Sequence, residues 1–259
     1  MSEMTDNALI KRVFLVVAYD GTGYSGYQAQ PGGVPTIEGE LNRAILELTG
    51  EEVEVIGGSR TDAGVHALGQ SVHFDTDSRI PGEKFSYAVN TMLPPDIRVS
   101  ASDEVSADFH ARFSSKGKRY RYLFWDAPHA GALNRNTHAH SIYPLDERRM
   151  QAEADALIGT HDFAAFAASG SVVKDTVRTI WRADVARDGH EVRLIVEGSG
   201  FLYNMVRIIA GTLRDVGSGK LEPGALARAI ETGDRLDLGV TAPAHGLTLM
   251  KVFYSVRSE

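Results

Sequence analysis

Two spacings of apolar residues alternate along the chain. Arg12 to Tyr19 is an almost unbroken apolar run, the pattern of a buried strand. From Ile37 the apolar residues recur at Leu41, Ala44, Ile45 and Leu48, the spacing of one helix face. Thr36 stands where a cap belongs, Glu38 and Glu40 fall in the first turn that favours acids, and Gly50 follows the end. Glu52 to Ile56 and Gln70 to Thr76 read as strands on either side of a polar loop. A shorter helix near Glu83 to Leu93 stops before Pro94-Pro95, and Ile97 to Val105 reads as a strand.

The second half repeats the order. Arg119 to Trp125 is a strand, and Asp146 caps a helix with Met150, Ala154, Leu157 and Ile158 on one face. Thr179 to Ala186 and Glu191 to Glu197 predict a hairpin turned by Asp188-Gly189. Phe201 to Leu213 predicts a strongly apolar helix, Pro223 to Glu231 another, and Leu247 to Val256 a last strand. Residues 131–137 and 168–174 read as loops. The pattern is that of an α+β protein in two halves, 1–108 and 109–259, with mainly antiparallel sheets covered by helices on one face. Such halves predict a central cleft where they meet.

Composition adds boundaries. The chain has 259 residues, 43% hydrophobic and 24% charged, within the ordinary globular range. There are no cysteines, which removes disulfides, thiolate zinc sites and cysteine nucleophiles and fits a cytoplasmic protein. No apolar run approaches the roughly 18 residues of a membrane span, and the polar start lacks the apolar core of a secretory signal.

The net charge of −7 gives no hint of a nucleic-acid partner, but the charges are segregated. Residues 1–105 hold sixteen acids against seven bases. Residues 109–122 hold Arg112, Lys116, Lys118, Arg119 and Arg121 and no acid, interleaved with Phe109, Phe113, Tyr120 and Tyr122. Cations for phosphates beside aromatics for bases are the composition of an RNA surface; a solvated basic loop leading into a strand has the same composition.

The loop Gly58-Ser59-Arg60-Thr61-Asp62-Ala63-Gly64-Val65-His66 carries the clearest chemistry. A carboxylate is ionised at neutral pH, with a free pKa of about 3.9, so Asp62 can act as a nucleophile without a base. Arg60 can hold it charged or grip a phosphate. An Asp that merely turns the loop is the structural alternative. Arg207 sits in an apolar helix opening, where a guanidinium wants a buried carboxylate or a solvated head.

Other motifs lack their context. Gly21-Thr22-Gly23-Tyr24-Ser25-Gly26 spells a dinucleotide fingerprint, but the helix waits until Thr36. His138 and His140 have no neighbouring carboxylate cluster or cysteine, so no metal site is expected there. Neither an H-E-x-x-H zinc motif nor a G-x-S-x-G nucleophile elbow occurs.

In colinear order, YDGTGYSGYQ (19–28), GSRTDAGVHA (58–67), FHARF (109–113), KRYRY (118–122), DFAAF (162–166), SGFLYNMVR (199–207) and HGLTL (245–249) resemble the tRNA pseudouridine synthase A family over nearly the whole chain. One departure is Tyr24 and Tyr27, where the family usually has phenylalanine and tryptophan. The resemblance implies two RNA-recognition-like α+β domains around a cleft, a homodimer, and conversion of uridines 38 to 40 of the tRNA anticodon stem-loop to pseudouridine without cofactor or metal. It implies Asp62 as nucleophile and Arg60 filling the space left by the extruded base. It further implies Tyr120 packing on the base, Arg207 pairing with the nucleophile and Leu247 near the uracil. Without the resemblance, a non-catalytic RNA-binding protein and a nucleotide-cofactor enzyme remain alternatives.

Overall fold

The computed structural model describes residues 10–167 and 175–255. The loop expected at 168–174 lies outside them. The chain divides into two compact units, Met1–Ala63 with Ala67–Ser115, and Gly64–His66 with Lys116–Glu259.

In the first unit β1 (Lys11–Tyr19) lies between β3 (His66–Thr76) and β4 (Ile97–Val105), antiparallel to both. The short β2 (Ile56–Gly57) pairs the far part of β3. Alternation on β1 is sharp: Val13, Leu15, Val17 and Tyr19 are buried. Val13 stands opposite Phe74 on β3, and Phe74 meets Phe85 of α2 (Phe85–Val89) edge-on at 5.4 Å. This is the helix-covered face, to which α1 (Ile37–Thr49) contributes buried Ile37, Leu41, Ala44 and Ile45. Thr36 caps α1 by accepting from the Gly39 N–H, and Gly50 ends it in the left-handed region.

The opposite face, with Phe14 and His73, is covered by residues 106–115. Phe109 meets Phe14 at 5.4 Å and His73 at 6.0 Å, both edge-on. Arg12 clamps this segment by pairing with Asp75 at 2.7 Å and donating to the carbonyls of Ala107 and Phe109.

Two expected elements shrink. The strand over 52–56 reduces to Ile56–Gly57, because the backbone there is satisfied by side chains: Asn42 Oδ1 accepts from the Val55 N–H. The helix over 83–93 reduces to a 3-10 turn at Gly82–Lys84 and α2, since the Asn90 carboxamide bonds both the N–H and the carbonyl of Val99. A side chain that captures backbone in this way competes with the next helical turn.

The second unit is built on β5 (Gly117–Asp126), β7 (Gly159–Asp162), β8 (Val177–Asp188), β9 (Glu191–Gly198) and β10 (Leu247–Phe253), in the order β10-β5-β9-β8-β7, all antiparallel. β6 (Ala139–Ser141) extends the β10 side of β5 in parallel. α3 (Glu147–Ala154) packs on β8, where Gln151 bonds the Val185 N–H and the Ala183 carbonyl and so closes the strand edge that β7 leaves open. Buried Glu153 caps α5 (Ala225–Thr232) by accepting from the N–H groups of Gly224 and Leu226.

The hairpin turns on Gly189-His190, one residue beyond the expected dipeptide. Asp188 still pairs Glu191, and Gly189 takes the positive φ (56°). The apolar helix begins later than expected, as α4 (Met205–Gly217). Asn204 adopts φ 61°, the left-handed region, and blocks helical continuation from Phe201. Among the described residues no helix is long and apolar enough to cross a membrane.

Candidate active site

In the loop between β2 and β3, neutral groups pin Gly58, Ser59 and Thr61. Gly58 N–H donates to the Ser71 carbonyl at 2.7 Å. Gln70, wholly buried on β3, brackets Ser59: its Oε1 accepts from the Ser59 N–H at 3.1 Å and its Nε2 donates to the Ser59 carbonyl. The Thr61 hydroxyl bonds the Tyr19 hydroxyl at 2.7 Å, and the Thr61 carbonyl accepts from the Tyr27 N–H at 3.0 Å. Ser59 and Thr61 are therefore buried, whereas Arg60 between them is exposed and Asp62 half-buried. The charged residues project from a backbone whose alternate residues are pinned from behind.

The glycine run Gly21–Gly26 serves this loop. Gly21–Gly23 forms a 3-10 turn capped by Asp20, and the next helix opens only at Ile37. Gly26 has φ 98°, and a Cβ there would stand 3.0 Å from the Thr61 carbonyl and 3.2 Å from the Ala63 N–H. Only glycine admits both the backbone angle and the approach. Tyr27 then lies fully buried beneath the loop.

Beside Arg60, Glu38 is pushed up by burial, against the Ala29 N–H and the Arg60 charge, which hold it down. On the far face of the same sheet burial lowers His73 to about 4, so it is neutral near pH 7. Its Nδ1 accepts from the Ala111 N–H.

In the second unit β5 sorts its residues by face. Tyr120 and Tyr122 point to the apolar side with Leu249 and Leu247, their partners on β10. Tyr120 meets Phe201 edge-on at 5.2 Å. The Tyr122 hydroxyl donates to the Pro243 carbonyl, and burial pushes its phenol well above its usual range. A Cβ on Gly246 would strike the Tyr122 ring at 2.5 Å, which explains the glycine of HGLTL. Arg207 on α4 donates from Nε to the Ala242 carbonyl (2.9 Å) and from Nη1 to Asn204 Oδ1 (2.7 Å). The Ala242 N–H returns a bond to the Arg207 carbonyl. These bonds fix the guanidinium plane.

The five expected RNA cations divide. Arg112 and Lys116 are exposed and form no ion pair among the described residues. Lys118 is half-buried on the Tyr120 face of β5. Arg119 faces the other way and pairs at 2.7 Å with Glu197, which is wholly buried and also meets Arg182 at 3.3 Å. Arg121 is half-buried on that same side, and desolvation lowers its pKa.

Asp62 and Arg60 belong to the first unit, and Tyr120, Leu247 and Arg207 to the second. Sequence reasoning missed Gln70, Tyr19 and Phe201. An uncharged polar residue inside an apolar strand was the available signal for Gln70. His138 reaches Glu191 at 3.0 Å and His140 the Ala127 carbonyl, and no group of three or more potential ligands is arranged for a metal among the described residues.

A sequence profile for tRNA pseudouridine synthase matches residues 15–114 and 154–255. Similar curated proteins, each called tRNA pseudouridine synthase A, occur in three bacteria. Those of Acetivibrio thermocellus and Ruminiclostridium cellulolyticum are 49% and 48% identical, and that of Brevibacillus brevis 46% identical. In each case 95% of this chain and 100% of the relative are covered. A solved Cbf5-Nop10-Gar1 complex is 13% identical with a TM-score of 0.37, over 95% of this chain and 59% of that one, too distant to bear on the site.

Proposed function

Because this chain belongs to the tRNA pseudouridine synthase family, and is therefore an isomerase acting on uridines of tRNA, we propose that it modifies positions 38 to 40 of the anticodon stem-loop with Asp62 as nucleophile. The observation that supports the assignment is the loop itself: Ser59 and Thr61 are locked inward by hydrogen bonds, and the half-buried carboxylate of Asp62 follows directly on the pinned Thr61. Pseudouridine formation breaks a C–N glycosidic bond, turns the uracil and rejoins it through carbon. An ionised carboxylate suits either attack at ribose C1′, as in retaining glycosidases, or addition to the ring.

The target base must leave the stem at a cost of a few kcal/mol. Arg60, exposed at the rim of the loop, suits the role of filling the vacated space. Tyr120, with its ring braced by Phe201, is the platform for the uracil, and Leu247 adds an apolar neighbour on the same sheet face. Arg207 is the proposed partner of Asp62; its fixed plane suits a carboxylate. Arg112 and Lys116 supply phosphate contacts, with Lys118 behind them, while Arg119 already serves Glu197 and Arg121 is half-buried. A cytoplasmic homodimer working without cofactor or metal completes the reading.

The test is incubation with unmodified tRNA followed by chemical derivatisation of pseudouridine at single-nucleotide resolution. Product at positions 38 to 40 from the wild type and none from Asp62→Asn is expected. Modification confined to another part of the tRNA would overturn the site assignment.

A further inference from the structure

Residues 109–122 hold four aromatic side chains, and three of them are packed into the fold. Tyr120 and Tyr122 are buried, and Phe109 stands edge-on to Phe14 and His73. Phe113 is 75% exposed. Leaving a phenyl ring in water forgoes its burial energy, so its support is informative.

That support is a rigid turn. The Phe113 ring lies on His110, with centroids 4.3 Å apart and planes tilted by 34°. His110 Nδ1 accepts from the N–H groups of Arg112 (3.2 Å) and Phe113 (3.3 Å). The Ser114 hydroxyl accepts from the His110 N–H, and the Ser114 N–H donates to the His110 carbonyl. His110 itself meets His73 edge-on at 4.9 Å, and His73 holds the Ala111 N–H. Arg12 anchors the segment through the carbonyls of Ala107 and Phe109. The Arg112 guanidinium lies 5.7 Å from the Phe113 centroid and has no carboxylate partner among the described residues.

We propose that Phe113, backed by His110 and flanked by Arg112, is a stacking platform for an unpaired base of the tRNA, with Arg112 taking an adjacent phosphate. The inference rests on the tRNA reading above and adds a second base contact, Tyr120 being the residue assigned to the reacting uracil. Every base offers a π-face, so such a platform tolerates sequence. A protein partner would call for a continuous apolar patch. The neighbours of Phe113 in the turn are instead His110, Arg112, Ser114 and Ser115.

The experiment measures equilibrium binding of an unmodified tRNA transcript across a range of salt. Phe113→Ala should weaken binding about five- to a hundredfold, with an unchanged salt slope because no charge is removed. Phe113→Trp should keep the affinity, and the new indole should be quenched on binding beyond any change from Trp125 and Trp181. Arg112→Ala should lower the log–log slope by just under one unit. Binding by Phe113→Ala within twofold of wild type overturns the platform, as does a tryptophan that reports no RNA. A change in sedimenting mass with tRNA affinity intact would assign Phe113 to a protein contact and also overturn it. Failure of the wild type to bind tRNA at all would instead strike the reading beneath it.

Discussion

Residues 58–62 and residues 118–122 use one alternation to opposite ends. In the loop the inward residues are Ser59 and Thr61, held by the Gln70 carboxamide and the Tyr19 hydroxyl, and the charged residues stand on the other side. In β5 the residues on the apolar side are Tyr120 and Tyr122, and Arg119 on the other side meets the wholly buried carboxylate of Glu197. Neutral partners can fix a backbone without touching the charge it presents. A buried carboxylate fixes the charge itself and gives it a structural duty. The first arrangement suits chemistry and the second suits the sheet.

The sharpest way to break this contrast is to remove the charge that the loop presents. Asp62→Asn keeps shape and hydrogen-bonding capacity but loses nucleophilicity. Turnover should fall by several orders of magnitude, with tRNA affinity and melting temperature close to wild type. Near-normal turnover would reduce Asp62 to a loop residue.

Next in size is the neutral support. Gln70→Ala removes both bonds to Ser59, and a misplacement of about 1 Å can cost about a hundredfold in rate. The loss should fall on kcat, with tRNA affinity little changed. Gln70→Glu sharpens the test. A protonated carboxyl reproduces the carboxamide pattern, accepting from the Ser59 N–H and donating to the Ser59 carbonyl. Burial raises a carboxyl pKa, because it penalises the charged form. Activity relative to wild type should therefore rise as pH falls through that raised pKa, and the alanine variant should show no such recovery. A purely global loss of stability would leave the two variants parallel across pH.

The strand side of the comparison predicts a stability effect. Arg119→Ala leaves Glu197 with Arg182 at 3.3 Å in place of a 2.7 Å bond, at a cost of about 1–3 kcal/mol for the weakened buried acceptor. A lower denaturant midpoint should result, while turnover per folded molecule at a permissive temperature stays near wild type. A large turnover loss with stability untouched would move Arg119 from the sheet to the substrate.

The legible and illegible parts of the sequence divide along the same line. A continuous apolar run placed β1, and period and capping placed α1, because burial on one face writes itself into helical spacing; Leu41, Ala44 and Ile45 are an example. Asp146 capped α3 as expected, but the helix ends at Ala154, and Ile158, expected on its apolar face, lies beyond it and is exposed. The Asp62 loop was legible through its charged residues. Its supports were not, since Gln70 and Tyr19 are polar groups on strands whose role exists only once the loop is folded against them. Asn204 hid the true start of α4, because a left-handed residue leaves no trace in hydropathy. The basic run was over-read as a uniform surface. Composition counts cations, but the two-residue period of β5 sends Arg119 to a buried carboxylate, while Arg112 and Lys116 precede the strand and stay in water.

The smallest expected effect tests that last division. Each phosphate neutralised contributes about 0.7 to 0.9 to the log–log dependence of tRNA affinity on salt. Arg112→Ala and Lys116→Ala remove exposed cations with no ion pair among the described residues, so each should lower the slope by just under one unit. Together they should lower it by nearly two, if the sites act independently. Arg119→Ala should leave the slope unchanged, since its charge is already compensated by Glu197. Affinity measured from low to moderate salt for all variants reads this directly. If all three substitutions flattened the slope equally, the ion pair with Glu197 would have to open when RNA binds. The contrast between the two regions would then hold only for the free protein.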